Sequence, residues 1–475
     1  MSQADLKVRN PRTGEVDYHI EPYTADQLAR VADSLRAAQV VWNAGGVQGR
    51  IEKLSAWVEA LRNSEAEIVA ALSADTGRRA VARGEFFGTI AAIENWCRLA
   101  PALLETGARP SVAVPSVELR EQRVPYDLVG VISPWNFPLT LSLIDAIPAL
   151  LAGCAVMIKP SEVTPRFIEP LNDTLTQVPG LARVLAFTPG AAETGQALVD
   201  QVSAVVFTGS VATGRKVGEA AARNFIPAFL ELGGKDPAIV LEDADLDRAS
   251  TALLRASVVA TGQACQSIER IYVARSVYES FLTMLVDKAR AVELTHPDPD
   301  QGHLGPFIFA PQADKVAAQL EAAVAAGATI HCGGEIQHHG GGRWLAPTVV
   351  SGIDHDMALM SEETFGPVLP VMAFDSVDEA VALANDSIYG LSGCVFGADE
   401  TQCLDVAQHM NVGAVSINDA GLTTMIFESE KNAFGESGLG ASRMGPTGLT
   451  RFLRTKALFV NRGDVRPIDA MREGS

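Results

Sequence analysis

The 475-residue sequence predicts an α/β protein built on parallel sheets. From Tyr126 onward, short apolar runs alternate with helical stretches, the order expected of strand–helix–strand units. Runs such as Val129-Gly130-Val131-Ile132 and Ala155-Val156-Met157-Ile158 carry no polar face, as strands covered on both sides require. Polar and glycine-containing clusters follow several of these runs, and in open parallel sheets ligands sit beyond the carboxyl ends of strands.

Composition sets the frame. The chain is long enough for two or three domains, and 47% hydrophobic with 20% charged residues is the balance of a globular protein. A net charge of −19 repels phosphate backbones and anionic bilayers, which argues against nucleic acid and membrane partners. Cys97, Cys154, Cys265, Cys332, Cys394 and Cys403 are scattered without paired spacing, so neither a disulfide framework nor a zinc site is expected, and reduced thiols in a cytoplasm are. Met1 to Lys7 offers no apolar core for a signal peptide. Leu128 to Ile158 is apolar enough to suggest a membrane span, but Pro134, Asn136, Pro138, Asp145 and Pro148 interrupt it, and strand–helix–strand is the better reading.

In chain order, Thr24-Ala25-Asp26-Gln27 has capping-box spacing ahead of Leu28, Val31, Ala32, Leu35 and Ala38, so a helix begins there. A second helical pattern covers about Ile51 to Leu72, and the first hundred residues read as packing elements without recognisable chemistry. Ser111 to Arg123 reads as exposed extended structure, either a solvated hairpin or an edge that pairs with another subunit. Strands are expected at Leu128–Ile132, Ala155–Lys159, Val184–Phe187, Ala204–Phe207 and Phe229–Leu232, with a helix over Leu139–Leu151. A second α/β unit follows: helices at Ala249–Ala260, Tyr278–Val292 and Ala313–Ala326, and strands at Ile271–Ala274, Val371–Phe374 and Cys394–Phe396. His338 and His339 lie among glycines, lack metal-ligand spacing, and are expected in a solvated loop.

Four clusters carry candidate chemistry. Lys159-Pro160-Ser161-Glu162 places a cation and a carboxylate on a turn, either as a surface ion pair or where a carboxylate accepts from a ribose diol and repels a 2′-phosphate. Thr208-Gly209-Ser210 opens a helix whose N-terminal N–H groups suit a pyrophosphate, although it is neither the six-position dinucleotide fingerprint nor a Walker loop. Glu231 precedes Leu232-Gly233-Gly234-Lys235 and is either an ordinary strand-end glutamate or a general base. Cys265, in Gly262-Gln263-Ala264-Cys265-Gln266, is either an inert thiol or a nucleophile.

Together with Pro134-Trp135-Asn136-Phe137-Pro138 and Glu363-Thr364-Phe365-Gly366-Pro367, these clusters resemble the aldehyde dehydrogenase superfamily in identity, order and separation over nearly the whole chain. The resemblance implies a Rossmann-like cofactor domain (residues 1–107 and 126–236), an α/β catalytic domain (237–434) and a small β oligomerisation element with a tail (108–125 and 435–475), in a homodimer or homotetramer. It implies NAD as cofactor, with NADP possible, and no metal. Cys265 would be the nucleophile, Asn136 the oxyanion donor together with the Cys265 N–H, and Glu231 the base that activates water. Lys159 and Glu162 would bind the adenosine ribose, Ser210 the pyrophosphate, and Glu363 and Phe365 the nicotinamide ribose and ring. Trp135 would border the cofactor, and Ile132, Ser133, Pro134, Ser161, Gly209, Leu232 and Gly233 complete that set.

The sequence departs from the family pattern at three places. Ala260 stands where Asn is common, so support of the cysteine loop is expected to differ. Phe434-Gly435-Glu436-Ser437-Gly438-Leu439-Gly440 replaces a Gly-Gly-x-Lys-x-Ser-Gly run and is expected to alter a loop at the substrate entrance. Ile144 and Asp145 replace Trp and Lys and are expected to open one wall of the substrate tunnel. Leu141, Ile144, Met425 and Ile426 favour a hydrophobic or aromatic aldehyde, and Arg270 reads as structural rather than as a clamp for a semialdehyde carboxylate. The alternatives are a semialdehyde dehydrogenase of the same mechanism, a CoA-acylating enzyme, which a retained Glu231 disfavours, and a non-catalytic protein on the same fold.

Overall fold

The computed structural model describes residues 5–473; Met1 to Ala4, part of the segment read for a signal peptide, lie outside them. One sheet has the strand order Gly438–Leu439, Ala228–Glu231, Ala204–Thr208, Leu128–Ile132, Ala155–Lys159, Leu185–Phe187, and its last five members run parallel. The strand order reverses between Leu128–Ile132 and Ala204–Thr208, which opens a crevice where a doubly wound sheet takes its ligand. Every residue of Leu128–Ile132, Ala155–Lys159 and Ala204–Thr208 is buried, as their continuous apolar character requires. Leu128 to Ile158 is thus a strand–helix–strand unit, and among the described residues no helix is long and apolar enough to cross a membrane.

The second sheet has the order Thr329–Cys332, Thr348–Ser351, Val368–Phe374, Ile268–Ala274, Asp236–Val240, Gly393–Phe396, Val415–Ile417, all parallel except the first pair. Its strands alternate between two cores with period two. Ala238, Val240, Ile271 and Val273 pack with helices Leu246–Val258 and Tyr278–Arg290 on one face. Ile239 and Tyr272 pack with Ala310–Ala325, Val377–Asn385 and Glu400–His409 on the other.

The capping box forms as expected: Gln27 N–H donates to Thr24 Oγ1 at 3.3 Å and Thr24 N–H to Gln27 Oε1 at 2.8 Å, starting helix Ala25–Ala44. The helix expected over Ile51–Leu72 is two, Gly46–Asn63 and Glu65–Thr76, divided at Ser64. The helix expected over Leu139–Leu151 also divides, into Pro138–Leu143 and Ala146–Ala152, with Asp145 at the break. An N-terminal hairpin, Leu6–Arg9 with Val16–Ile20, was not expected at all.

Extended structure expected from Ser111 begins only at Val117. Ser111 to Ser116 is a turn closed by Ser111 N–H to Val117 O, and Val117–Pro125 then pairs along its whole length with Leu453–Asn461 and, through Glu118 to Arg120, with Ala108–Pro110. His338 and His339 belong to a short hairpin, Gln337–His339 with Gly342–Trp344, rather than to a loop. His338 is exposed, but the His339 ring stacks on His296 at 4.6 Å. Arg270 is structural, as expected: it is fully buried and donates to the carbonyls of Lys235 and Ala384.

Candidate active site

The strand ends of the first sheet face a cavity of about 750 Å³ whose other wall comes from the second sheet's loops. Ile132, Ser133, Pro134, Trp135 and Asn136 line it from the end of Leu128–Ile132, and Lys159, Ser161 and Glu162 from the end of Ala155–Lys159. Gly209, Ser210, Leu232 and Gly233 follow the next two strands, and Cys265, Glu363 and Phe365 close the opposite side. Of the residues given a catalytic or cofactor role from the sequence, all except Glu231 meet at this one cavity.

Local geometry explains each placement. Lys159 Nζ donates to Glu162 Oε2 at 2.8 Å, with the lysine buried and the glutamate half-exposed toward the cavity. Ser210 caps helix Val211–Arg223 by accepting from Thr213 N–H at 3.4 Å, so its hydroxyl serves its own helix as well as facing the cavity. A Cβ on Gly209 would lie 2.6 Å from the Phe207 ring. Trp135 packs edge-on against Phe365, with centroids 5.4 Å apart.

The cysteine loop is fixed from four sides. Asn136 Nδ2 donates to Gln263 O at 2.9 Å, which joins the Pro-Trp-Asn-Phe-Pro loop to the turn that presents Cys265. The Gln263 side chain, fully buried, accepts from Ile308 N–H at 2.9 Å. Arg78, from the helical segment read as mere packing, donates to Asn136 O and to Ala260 O at 2.6 Å each and so holds one carbonyl of each loop. A Cβ on Gly262 would lie 2.3 Å from Gly366, and one on Gly234 would lie 2.5 Å from Cys265 O. Ala260 has φ +54°, a left-handed backbone in which Asn is better tolerated than Ala, so its loop is held by Arg78 rather than by local preference.

Glu363 follows from a second support that the sequence did not reveal. Glu269, buried in strand Ile268–Ala274, accepts from Thr364 N–H at 2.7 Å, Phe365 N–H at 2.8 Å and Lys235 Nζ at 2.8 Å. This fixes Phe365 at φ +55° and leaves the Glu363 carboxylate against Gly233, accepting from Gly234 N–H at 3.1 Å. Burial, reinforced by Glu269, pushes Glu363 up to about 7. Cys265 is pushed up to about 12 by burial, then by Asp236 and Glu363, with Arg443 opposing.

Glu231 ends strand Ala228–Glu231, as expected, but its side chain turns toward Arg443, whose Nε lies 3.8 Å from Oε1. Asp145 is not a tunnel wall. It is buried at the break between helices Pro138–Leu143 and Ala146–Ala152 and ion-paired to both Arg443 and Arg451. The altered run at Phe434–Gly440 ties Leu232 to Gly390: Ser437 O accepts from Leu232 N–H at 2.8 Å and Ser437 Oγ from Gly390 N–H at 3.0 Å. Met425 and Ile426 are exposed on a segment tied to the neighbour of Cys265 through Thr423 Oγ1, which donates to Gln266 Oε1 at 2.9 Å.

Residues 1–458 match the model of the aldehyde dehydrogenase family. The chain belongs to that family. As an aldehyde dehydrogenase it is an oxidoreductase acting on aldehydes with NAD(P). Its relatives include the 4,4′-diapolycopene aldehyde oxidase of a Methylomonas species, 38% identical over 81% of this chain and 72% of that protein. The structure of PutA from Anabaena variabilis, an assigned aldehyde dehydrogenase, superimposes with a TM-score of 0.97 at 52% identity, covering 98% of this chain and 99% of that one. Betaine aldehyde dehydrogenase of Staphylococcus aureus, solved in complex with NAD+, does so with a TM-score of 0.90 at 28% identity, covering 98% and 93%. Among the described residues no group of three side chains could hold a metal.

Proposed function

We propose that this aldehyde dehydrogenase oxidises a hydrophobic or aromatic aldehyde to its carboxylic acid through a covalent Cys265 intermediate, with NAD as preferred cofactor. The observation that carries the reading is the Asn136 amide bonded to Gln263 O, two residues before Cys265, at the wall of the dinucleotide-sized cavity. Cys265 gives up its thiol proton to water and the sulfur bonds the aldehyde carbon as the C=O π pair moves to oxygen, where the charge is held by the second Asn136 N–H and the Cys265 N–H. NAD held at Glu363 and Phe365 would supply the hydride acceptor, so that the carbon on Cys265 is oxidised to a thioester. Glu231 then accepts a proton from water as its oxygen bonds the carbonyl carbon; the C–S bond breaks, returning Cys265 and releasing the acid.

The cavity gathers at its strand ends the charged and hydroxyl groups that suit a dinucleotide. Lys159 and Glu162 would hold the adenosine ribose, Gly209 and Ser210 the pyrophosphate at the helix N-terminus, and Glu363 the second ribose. Ile132, Ser133, Pro134, Trp135, Ser161, Leu232 and Phe365 would wall the cofactor in. Gly233 leaves the Glu363 carboxylate its position, because a Cβ there would lie 2.7 Å from Oε1. Gly233→Ala should therefore raise the cofactor Kd by about 10- to 100-fold, the worth of a charge-assisted hydrogen bond, with little change in Tm. An unchanged Kd by fluorescence titration would remove Glu363 from the cofactor site.

The apolar Leu141 on the cavity and the exposed Met425 and Ile426 beside the Cys265 turn support the substrate class. An aldehyde panel from short aliphatic through succinic semialdehyde to benzaldehyde types, run with NAD and NADP, tests it. The expected result is highest kcat/KM for aromatic or long-chain aldehydes with NAD, and free acid as product. A CoA thioester with no free acid in the absence of CoA would overturn the hydrolytic reading. Residues 1–107 and 126–236 would serve the cofactor and 237–434 the nucleophile. Residues 108–125 and 435–475 would join subunits into a dimer or tetramer, consistent with the exposed Leu458 and Phe459 on strand Leu453–Asn461. The six free cysteines support a cytoplasmic location.

A further inference from the structure

Glu231 shares its surroundings with a buried charge cluster that no motif announces. Asp145, 1% exposed, receives Arg443 Nη2 at 2.7 Å on one oxygen and Arg451 on the other. Arg451 is wedged between the rings of Phe229 and Phe452, each 4.9 Å from the guanidinium carbon, so the carboxylate it holds has little freedom. Arg443 in turn donates to Thr208 Oγ1 at 2.6 Å, on the strand beside Glu231. Its Nε is buried and has no hydrogen-bond partner among the described residues, and it faces Glu231 Oε1 at 3.8 Å.

We propose that Arg443 is a positioning residue for the hydrolytic half of the reaction: clamped by Asp145 and Thr208, it aims the Glu231 carboxylate at the water it activates. The proposal rests on Glu231 being that base. Asp145 pairs with both guanidinium groups, and Glu231 is the carboxylate that faces Arg443 from its other side. A guanidinium does not lose its proton in the working range, so Arg443 acts as a fixed charge and not as a proton relay. The other charged or titratable groups near Glu231 are Cys265, Lys431 and Arg451. Lys431 Nζ is occupied by Thr423 O at 2.6 Å and Gln266 Oε1 at 3.3 Å, and Arg451 by Asp145, which leaves Arg443 as the cation at ion-pair distance. A slight closing of the 3.8 Å gap, or one bridging water, completes the contact.

The test is a double-mutant cycle read by stopped-flow and steady-state NADH formation. Arg443→Gln should lower the steady-state rate by about 10- to 100-fold while the first-turnover burst keeps its amplitude. Arg443→Lys should recover part of that loss. In a Glu231→Gln background, adding Arg443→Gln should change the steady-state rate by less than about twofold, because the partner is already gone. Equal fold-losses in both backgrounds, or a lost burst, would overturn the proposal and make Arg443 a general packing element. A Glu231→Gln enzyme with wild-type turnover would overturn the assignment of the base, and the proposal with it. Should Arg443→Gln fail to fold, the same cycle run with Arg443→Lys decides between these outcomes.

Discussion

Cys265→Ala is expected to form no NADH with any aldehyde, a loss on the order of 10⁴-fold or more, while its cofactor Kd stays within about twofold of wild type. The size of the effect follows from losing the covalent path altogether: alanine has no group that can bond the aldehyde carbon. Binding survives because the cavity contacts come from the strand ends and from the Glu363–Phe365 loop, which Glu269 holds independently of the thiol. Burial, then Asp236, Glu363 and Glu231, push the Cys265 thiol up to about 12, so the sulfur keeps its proton at neutral pH. Attack on the aldehyde therefore has to be accompanied by proton removal. Full turnover in Cys265→Ala, measured by NADH absorbance and acid product together, would end the covalent reading.

Glu231→Gln is expected to separate the two halves of the reaction. One equivalent of NADH should appear in a burst, followed by steady turnover about 10²- to 10⁴-fold slower than wild type, because an amide cannot take a proton from water. Acid quench during the slow phase should trap substrate-derived mass on the peptide that contains Cys265. Glu231 lies outside the cofactor cavity's lining and faces Arg443, an arrangement that suits an act performed after the cofactor's part is over. Loss of the burst itself would instead make Glu231 the group that removes the proton from Cys265.

Much of this molecule was legible because apolar strands declare themselves. Leu128–Ile132 and Ala155–Lys159 appear where the sequence put them, and the polar clusters after these runs line one cavity. Illegible were the elements whose stability comes from distant partners. Strand Asp236–Val240, which begins with Asp-Pro, was not among the expected strands, and its aspartate is buried against Ser392. Glu269 and Lys235 look like surface charges and are a buried ion pair. The Leu139–Leu151 helix divides where Pro148 cannot donate to the carbonyl of Ile144 four residues back, but the partners of the buried Asp145 at that break, Arg443 and Arg451, lie some three hundred residues away and leave no local trace. Arg78 sits in a stretch with no chemical motif, and only the fold reveals what it touches.

Arg78 has a consequence for how the protein matures. One guanidinium satisfies Asn136 O from the first sheet's loop and Ala260 O from the second's, at 2.6 Å each, so neither sheet alone can set the distance between the Asn136 amide and Cys265. Each half can acquire its own core while the reactive geometry does not yet exist. Catalytic competence is then the last property to emerge as the chain folds, and recovered activity should trail recovered helix signal after dilution from denaturant.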